Sequence, residues 1–121
     1  MKKPIATSDM NHASFDVVVV PFPYADRLAE MRRPALVVSA PALQKRFGLV
    51  WLMMITSADN PAWDCDVAIS DLKLAGVPAP SVVRPAKIAT IDATRILRRV
   101  GKLAAKDAKK VKEVLHELTA G

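Results

Sequence analysis

Residues 16–39 read DVVVVPFPYADRLAEMRRPALVVS, and this stretch decides the fold. It contains two apolar, β-branched runs, 17–22 and 35–39, which predict two strands of a sheet. The first run is almost continuously apolar, as is typical of a strand buried on both faces or of a barrel strand. The polar residues 24–32 between the runs predict a connecting loop of the kind that carries function.

The predicted loop ends in Arg32, Arg33 and Pro34. Proline has no backbone N–H, so it cannot donate to a strand ladder. We therefore expect Arg33 at the mouth of the second strand rather than inside a ladder. A guanidinium fixed there can bind a phosphate through two parallel hydrogen bonds.

The rest of the chain is predicted to form short strands followed by a helix. The predicted elements are strands at 48–56, 63–69, 81–89 (broken or bulged at Pro85) and 99–103, helices at 93–98 (capped by Asp92) and 105–118, and a helical turn at 43–47. This order indicates a mainly β fold with a C-terminal helix, built as a small, strongly bent barrel. We expect a flexible arm over residues 1–14 and a single domain over 15–121.

Composition restricts the class of protein. The chain has 121 residues, 51% of them hydrophobic, which is enough for one compact core. A single cysteine, Cys65, excludes an intrachain disulfide and suits a reducing cytosol. The N-terminus has no apolar signal-peptide region, and no apolar run is long enough to span a bilayer. We therefore expect a cytoplasmic protein without a membrane segment.

Charge is concentrated in the C-terminal part of the chain. The formal net charge is +6, and residues 84–112 contain ten lysines and arginines against two acidic residues. A basic surface attracts polyanions such as RNA or DNA. The same lysines also fit a solvated helix face or a docking surface for an acidic protein, and the sequence leaves these alternatives open.

Two further motifs follow the Arg-Pro strand start in order: MITS at residues 54–57 and SVVRP at residues 81–85. With these motifs, residues 15–118 resemble the MazF/PemK family of toxin ribonucleases. The resemblance implies an SH3-like barrel that forms a homodimer and cleaves single-stranded RNA without a metal or other cofactor. It also implies a type II toxin–antitoxin system, with an antitoxin whose acidic tail folds over the RNA groove.

The resemblance assigns catalytic roles to three residues. Arg33 would stabilise charge on the phosphate, Thr56 would hydrogen-bond the phosphate or the 2′-hydroxyl, and Arg84 would contribute to the site. The chain has Ala86 where PemK-like relatives have an aspartate thought to act as base, so the general base is open. Asp64 or Asp66 could substitute, although both also fit solvent-facing strand carboxylates.

Other residues are expected to contact RNA around this site: Asp16, Arg32, Ser57, Trp63 and Lys87. Asp16 also fits a role in holding an arginine in place. Trp63 fits either stacking on an unpaired base or binding an apolar residue of a protein partner, and Trp51 fits the core or a dimer interface. Spacing of His, Cys and acidic residues matches no metal site.

Two other functions remain compatible with the sequence. The related CcdB toxins share the fold and poison gyrase without cutting RNA, and the missing aspartate at Ala86 is compatible with such a non-catalytic module. A general RNA- or DNA-binding accessory protein would explain the net charge alone.

Overall fold

The computed structural model describes residues 11–22 and 31–121 of the chain. Strands dominate the described residues, and the longest helix is the last element. The elements are β1 (Asp16–Phe22), β2 (Met31–Val37), α1 (Pro41–Phe47), β3 (Leu49–Ser57), β4 (Val67–Ala68), α2 (Leu72–Ala75), β5 (Ser81–Asp92), a 3₁₀ turn (Ala93–Arg95), β6 (Arg98–Lys102) and α3 (Ala105–Thr119). The prediction of a mainly β fold with a C-terminal helix is confirmed.

All six described strands belong to one antiparallel sheet in the order β4-β5-β3-β2-β1-β6. The short strands β4 and β6 form its two edges. Helix α2 follows β4 in the chain and packs against β6. The sheet therefore curls into a half-barrel, and α2 connects its edges where a full barrel would have a ladder.

Apolar side chains cover both faces of the central strands. On β1, Val17 belongs to one buried cluster, whereas Val18 and Val20 belong to another. Helix α3 covers the first cluster with Ala108 and Val111. The near-continuous apolar run of β1 is therefore explained, as predicted, by a strand that is buried on both faces.

One predicted strand is largely wrong. Residues 63–69 alternate in polarity, but only Val67–Ala68 form a strand. The Asp66 carboxylate accepts a hydrogen bond from the Trp63 backbone N–H (2.9 Å), and the Asp66 N–H donates to the Trp63 carbonyl (3.0 Å). These local bonds hold the chain in a turn, because a short acidic side chain competes for the N–H groups that a ladder needs.

Two other predictions concern β5 and the segment after it. Met53 pairs with Ile88 but the next residue, Met54, pairs with Arg84, so residues 85–87 lie outside the ladder and the bulge at Pro85 is confirmed. Asp92 caps the following turn by accepting from the Thr94 N–H (3.0 Å), as predicted. The predicted helix 93–98 is only a 3₁₀ turn.

Helix α2 was missed by the sequence analysis, although both of its ends carry signals. Asp71 accepts a hydrogen bond from the Leu74 N–H (3.0 Å), and Gly76 ends the helix with φ +76°. At Gly76 an added Cβ would lie 2.3 Å from the carbonyl oxygen of Val100, and at Gly101 it would lie 2.3 Å from that of Leu74. Two glycines thus let α2 and β6 meet backbone to backbone.

Contacts near both ends of the domain fix the curled sheet. Asp107 in the first turn of α3 is fully buried and accepts from the Ser70 N–H and hydroxyl, each at 2.8 Å. Residues 1–10 of the predicted flexible arm lie outside the described residues. His12 is buried, and its backbone N–H donates to the side-chain oxygen of Gln44 (3.1 Å). None of the described helices is long and apolar enough to cross a membrane.

Gly76→Ala should destabilise the fold more than Gly48→Ala. Both glycines have positive φ, but an added Cβ at Gly48 meets no atom within 4 Å. We expect Gly48→Ala to lower the free energy of unfolding by about 1 kcal/mol and Gly76→Ala by about 3 kcal/mol, because the backbone contact adds to the φ strain. Urea unfolding measures both, and equal losses would contradict the close approach of α2 to β6.

Candidate functional site

Strands β2 and β3 separate at Pro34. Their ladder contains only the pairs from Ala35–Met54 to Val37–Leu52. Continuing the same register by two residues sets Arg33 opposite Thr56, but these positions are not paired. The ladder ends where proline removes a backbone donor, and a groove opens between the two strand ends.

Arg33 and Thr56 line this groove together. Its volume is about 230 Å³, and Pro34, Ile55 and Ser57 complete the strand walls. Residues 78–81, between α2 and β5, form the remaining wall. The prediction that Arg33 lies outside a ladder is confirmed toward β3, because the ladder with β3 begins only at Ala35. It is wrong toward β1, where Arg33 pairs with Val20.

A loop residue orients the Thr56 hydroxyl. Thr56 is buried, and its Oγ1 accepts a hydrogen bond from the Asn60 side-chain amide at 2.6 Å. Since the oxygen accepts this bond, the hydroxyl hydrogen remains able to donate to another group. A role for Asn60 was not predicted, because the Asp-Asn-Pro tripeptide at residues 59–61 signals only a loop. The neighbouring Ser57 hydroxyl accepts from the Asp59 N–H (3.1 Å).

Arg84 lies outside the groove and holds the loop that carries Asn60. Its Nε and Nη2 donate to the two carboxylate oxygens of Asp66, each at 2.9 Å, and Nη2 also donates to the Pro61 carbonyl at 3.0 Å. The guanidinium also stacks on the Trp63 ring, 4.5 Å from its centroid. Three of the five guanidinium N–H groups of Arg84 are thus used by contacts within the protein.

The same contacts determine the protonation of Asp66. The hydrogen bond from Arg84 holds the pKa of the Asp66 carboxyl below its usual value, and this effect exceeds the opposing effect of burial. That bond also raises the pKa of Arg84. A carboxylate with a lowered pKa and a bidentate partner is a weak proton acceptor, which argues against Asp66 as the general base.

The other residues predicted to contact RNA lie in different parts of the structure. Arg32 lines an adjoining groove, and Ser57 lines the groove of Arg33 and Thr56. Asp16 is distant, because it lies four residues along β1 from Val20, or roughly 13 Å. It forms an ion pair with Arg99 (3.1 Å), which is the arginine-holding role considered for it.

Three more side chains lie away from both grooves. Lys87 is exposed in the β5 bulge, and Trp63 is 42% exposed beside Arg84. Trp51 is 47% exposed, so the alternative that places it in the core is wrong. Within the described part of the chain, no group of three or more His, Cys, Asp or Glu side chains could hold a metal ion.

Comparison with known proteins adds a family match. The family model described as the PemK-like, MazF-like toxin of type II toxin–antitoxin systems matches residues 13–119. No curated protein matches the sequence.

Several solved structures share the fold. MazF from Deinococcus radiodurans is 23% identical with a TM-score of 0.74, over 93% of this chain and 100% of that chain. A MazE–MazF complex from the same organism gives 24% identity and a TM-score of 0.75, over 93% and 98%. An endoribonuclease in complex with its cognate antitoxin from a mycobacterial species gives 16% identity and a TM-score of 0.70, over 91% and 94%. At such identities the likeness shows the fold.

Asp66→Asn should remove a pH-dependent part of the stability. Because the folded-state pKa of Asp66 is lowered, its contribution is complete above the unfolded pKa, about 4, and is lost as the pH falls through the folded value. The wild type should therefore lose stability as the pH falls below about 4, and the variant should be less stable at pH 7 with a flatter profile. Urea unfolding across this range measures the effect.

The matched control is Asp64→Asn, since Asp64 is exposed two residues away. It should leave both the stability at pH 7 and the acid profile close to those of the wild type. If the two variants behaved alike, the Arg84–Asp66 pair would not be holding the loop.

Proposed function

This chain belongs to the PemK-like, MazF-like family of toxins of type II toxin–antitoxin systems, and on that premise we propose that it is a metal-independent endoribonuclease acting on single-stranded RNA. The observation that carries the proposal is the groove at the end of the β2–β3 ladder, where an arginine and a buried, oriented threonine hydroxyl lie together. The mycobacterial endoribonuclease of similar fold supports the same reaction class.

The chemistry requires few groups. The 2′-hydroxyl gives its proton to solvent water and attacks the adjacent phosphorus, and the phosphoryl oxygens gain negative charge. The bond between the phosphorus and the 5′-oxygen then breaks, and the 5′-oxygen takes up a proton as it leaves. Arg33 stabilises the developing charge and can donate a proton to the leaving oxygen. Thr56, held by Asn60, donates its hydroxyl hydrogen to a phosphoryl oxygen.

The chain lacks the aspartate that is thought to act as general base in PemK-like relatives. Ala86 lies in the β5 bulge and has no proton acceptor, and the Asp66 carboxylate is held by Arg84. No described acidic side chain lines the Arg33 groove. We infer that catalysis depends mainly on electrostatic stabilisation by Arg33 and Thr56 rather than on a carboxylate base.

The partner that we propose is an antitoxin whose acidic tail covers the Arg33 groove and competes with RNA. The MazE–MazF complex and the mycobacterial toxin–antitoxin complex support such a partner, and a net charge of +6 suits an acidic tail. The exposed Trp63 is a candidate anchor. We expect the loop over residues 24–32 to contact this tail as well; of that loop, only Met31 and Arg32 are among the described residues.

We also propose a homodimer. Trp51, Ile88 and Leu118 are about half exposed, and Trp51 and Ile88 line one apolar groove between the sheet and α3. Large exposed apolar side chains gathered on one surface are typical of an interface. A second copy of the chain is the occupant that fits, because the surface around Trp51 is apolar rather than charged.

We expect the protein to cleave single-stranded RNA in the presence of EDTA and to leave a 2′,3′-cyclic phosphate. Arg33→Ala should lower the rate roughly a hundredfold to a thousandfold, because it removes a cation that acts on the transition state. Thr56→Ala should cost less, since Ser57 lines the same groove. Single-turnover cleavage of a mixed-sequence RNA with end mapping measures these effects.

Arg46→Ala is the control, because this exposed arginine of α1 lines neither groove and its loss changes the net charge equally. It should cut at nearly the wild-type rate. Activity that disappears in EDTA and returns with magnesium would contradict the proposal. A folded protein that leaves RNA intact would favour the non-catalytic, gyrase-directed alternative.

We expect sedimentation at about 10 µM, where an interface of standard size holds, to give twice the monomer mass of 13.1 kDa. Trp51→Ser should shift the protein toward monomer, because it removes the largest exposed apolar side chain of the groove. Trp63→Ser is the control, as the other exposed tryptophan lies outside that groove. A monomeric wild type, or equal effects of the two variants, would contradict this interface.

A further inference from the structure

A second groove adjoins the groove of Arg33 and Thr56. Its volume is about 250 Å³, and three arginines line it: Arg32, Arg33 and Arg98. The two grooves share Arg33, Pro34 and Pro78, so they are continuous. No acidic side chain lines the second groove among the described residues.

Strand register brings Arg32 and Arg98 together. Arg32 pairs with Pro21 on one side of β1, and Arg98 pairs with Val19 on the other. Pro21 and Val19 are two residues apart, so strand alternation directs both arginine side chains to the same face of the sheet. The backbones of the two arginines therefore flank one strand, about 12 Å apart, because they are separated by two strand spacings across the sheet and by two residues along it.

Arg32 and Arg98 differ from two arginines that have structural roles. Arg84 is bound to Asp66, and Arg99, next to Arg98, is paired with Asp16. Within residues 11–22 and 31–121, the side chains of Arg32 and Arg98 make no hydrogen bond or ion pair, and both residues are exposed. Adjacent cations raise one another's energy unless an anion occupies the space between them, so this groove is suited to an anion.

The opposite wall of the groove is rigid. Gly76 and Val77 belong to it, and the Gly76 backbone contacts the Val100 carbonyl so closely that no Cβ would fit. The width of the groove is therefore set by backbone contact between α2 and β6. A preformed site loses little entropy when it binds its ligand.

We propose that this second groove binds the backbone phosphate next to the scissile one in the same RNA strand, with Arg32 and Arg98 as its ligands. The inference rests on the proposed ribonuclease function, because it assigns the scissile phosphate to the neighbouring groove of Arg33 and Thr56. The RNA strand then runs from Thr56 past Arg33 toward Arg98. Two flanking guanidiniums bind a phosphate and position the strand without reading its sequence.

The test combines protein and substrate changes. A short RNA with one cut site is made with a single uncharged methylphosphonate at each non-scissile position in turn. For wild type and Arg98→Gln, kcat/KM is measured on every RNA. Arg46→Gln is the matched control, and thermal unfolding checks that each variant is folded.

We expect neutralisation of one particular flanking phosphate to slow the wild type about tenfold, and Arg98→Gln to slow cleavage of the unmodified RNA by a similar factor. In Arg98→Gln that same methylphosphonate should have a clearly smaller effect than in the wild type, because one of the two arginine contacts that it removes is already absent. The effect of Arg32→Gln should likewise be coupled to the effect of the methylphosphonate at that position. The slope of log affinity against log salt should fall by about 0.7 in Arg98→Gln.

A binding measurement separates this proposal from the proposed function. An RNA with a 2′-deoxy nucleotide at the cut site is not cleaved, so the same series can be read by fluorescence anisotropy even if the protein cuts nothing. If the effects of the methylphosphonate and of Arg98→Gln on binding are coupled, but the protein does not cleave the unmodified RNA, the phosphate site is supported and the ribonuclease function is refuted. If the protein cleaves RNA but the effects of the methylphosphonate and of Arg98→Gln on kcat/KM are additive, the phosphate site is refuted. Equal kcat/KM values for Arg98→Gln and Arg46→Gln would also refute it. If Arg98→Gln weakened the binding of an oligoglutamate peptide but left RNA binding unchanged, the groove would be a peptide site, and this would overturn the proposal.

Discussion

The missing N–H of Pro34 is the constraint on which the site depends. Strands β2 and β3 pair only from Ala35 onward, and the positions that would pair next are left open. Arg33 and Thr56 occupy register-matched positions just beyond the last pair, so the separation of the strands creates a groove with both residues at its walls. A residue with an N–H at position 34 would allow the ladder to continue and would close this space.

The opposite wall depends on a second backbone constraint. The segment after α2 lines both grooves, and it is positioned by the close approach of α2 to β6 at Gly76 and Gly101. This contact also connects the two edges of the curled sheet. Closure of the half-barrel and the width of the two grooves therefore have one physical origin, a backbone contact that only glycine permits.

The arginines of the chain have separate tasks that composition does not distinguish. Arg84 is buried between Asp66, Pro61 and Trp63, where it holds the loop that carries Asn60. Through Asn60 this loop fixes the Thr56 hydroxyl, so Arg84 acts on the site indirectly. Arg99 is paired with Asp16, while Arg32 and Arg98 face an anion-sized groove. A carboxylate partner distinguishes Arg84 and Arg99 from Arg32 and Arg98, whose guanidiniums remain available to an anion.

The sequence by itself determined the mainly β architecture, the strand buried on both faces, the bulge at Pro85 and the cap at Asp92, because each rests on local periodicity or on one residue's backbone chemistry. Motifs that resemble a family also predicted that Arg33 and Thr56 share a site, and both residues line one groove. The sequence misjudged residues 63–66, where the Asp66 side chain outcompetes strand pairing. Only the tertiary structure decided that Arg98 adjoins Arg33, that Asn60 orients Thr56 and that Arg84 faces Asp66. These contacts join residues from different strands and loops, and their geometry follows from register and curl, which no local pattern encodes.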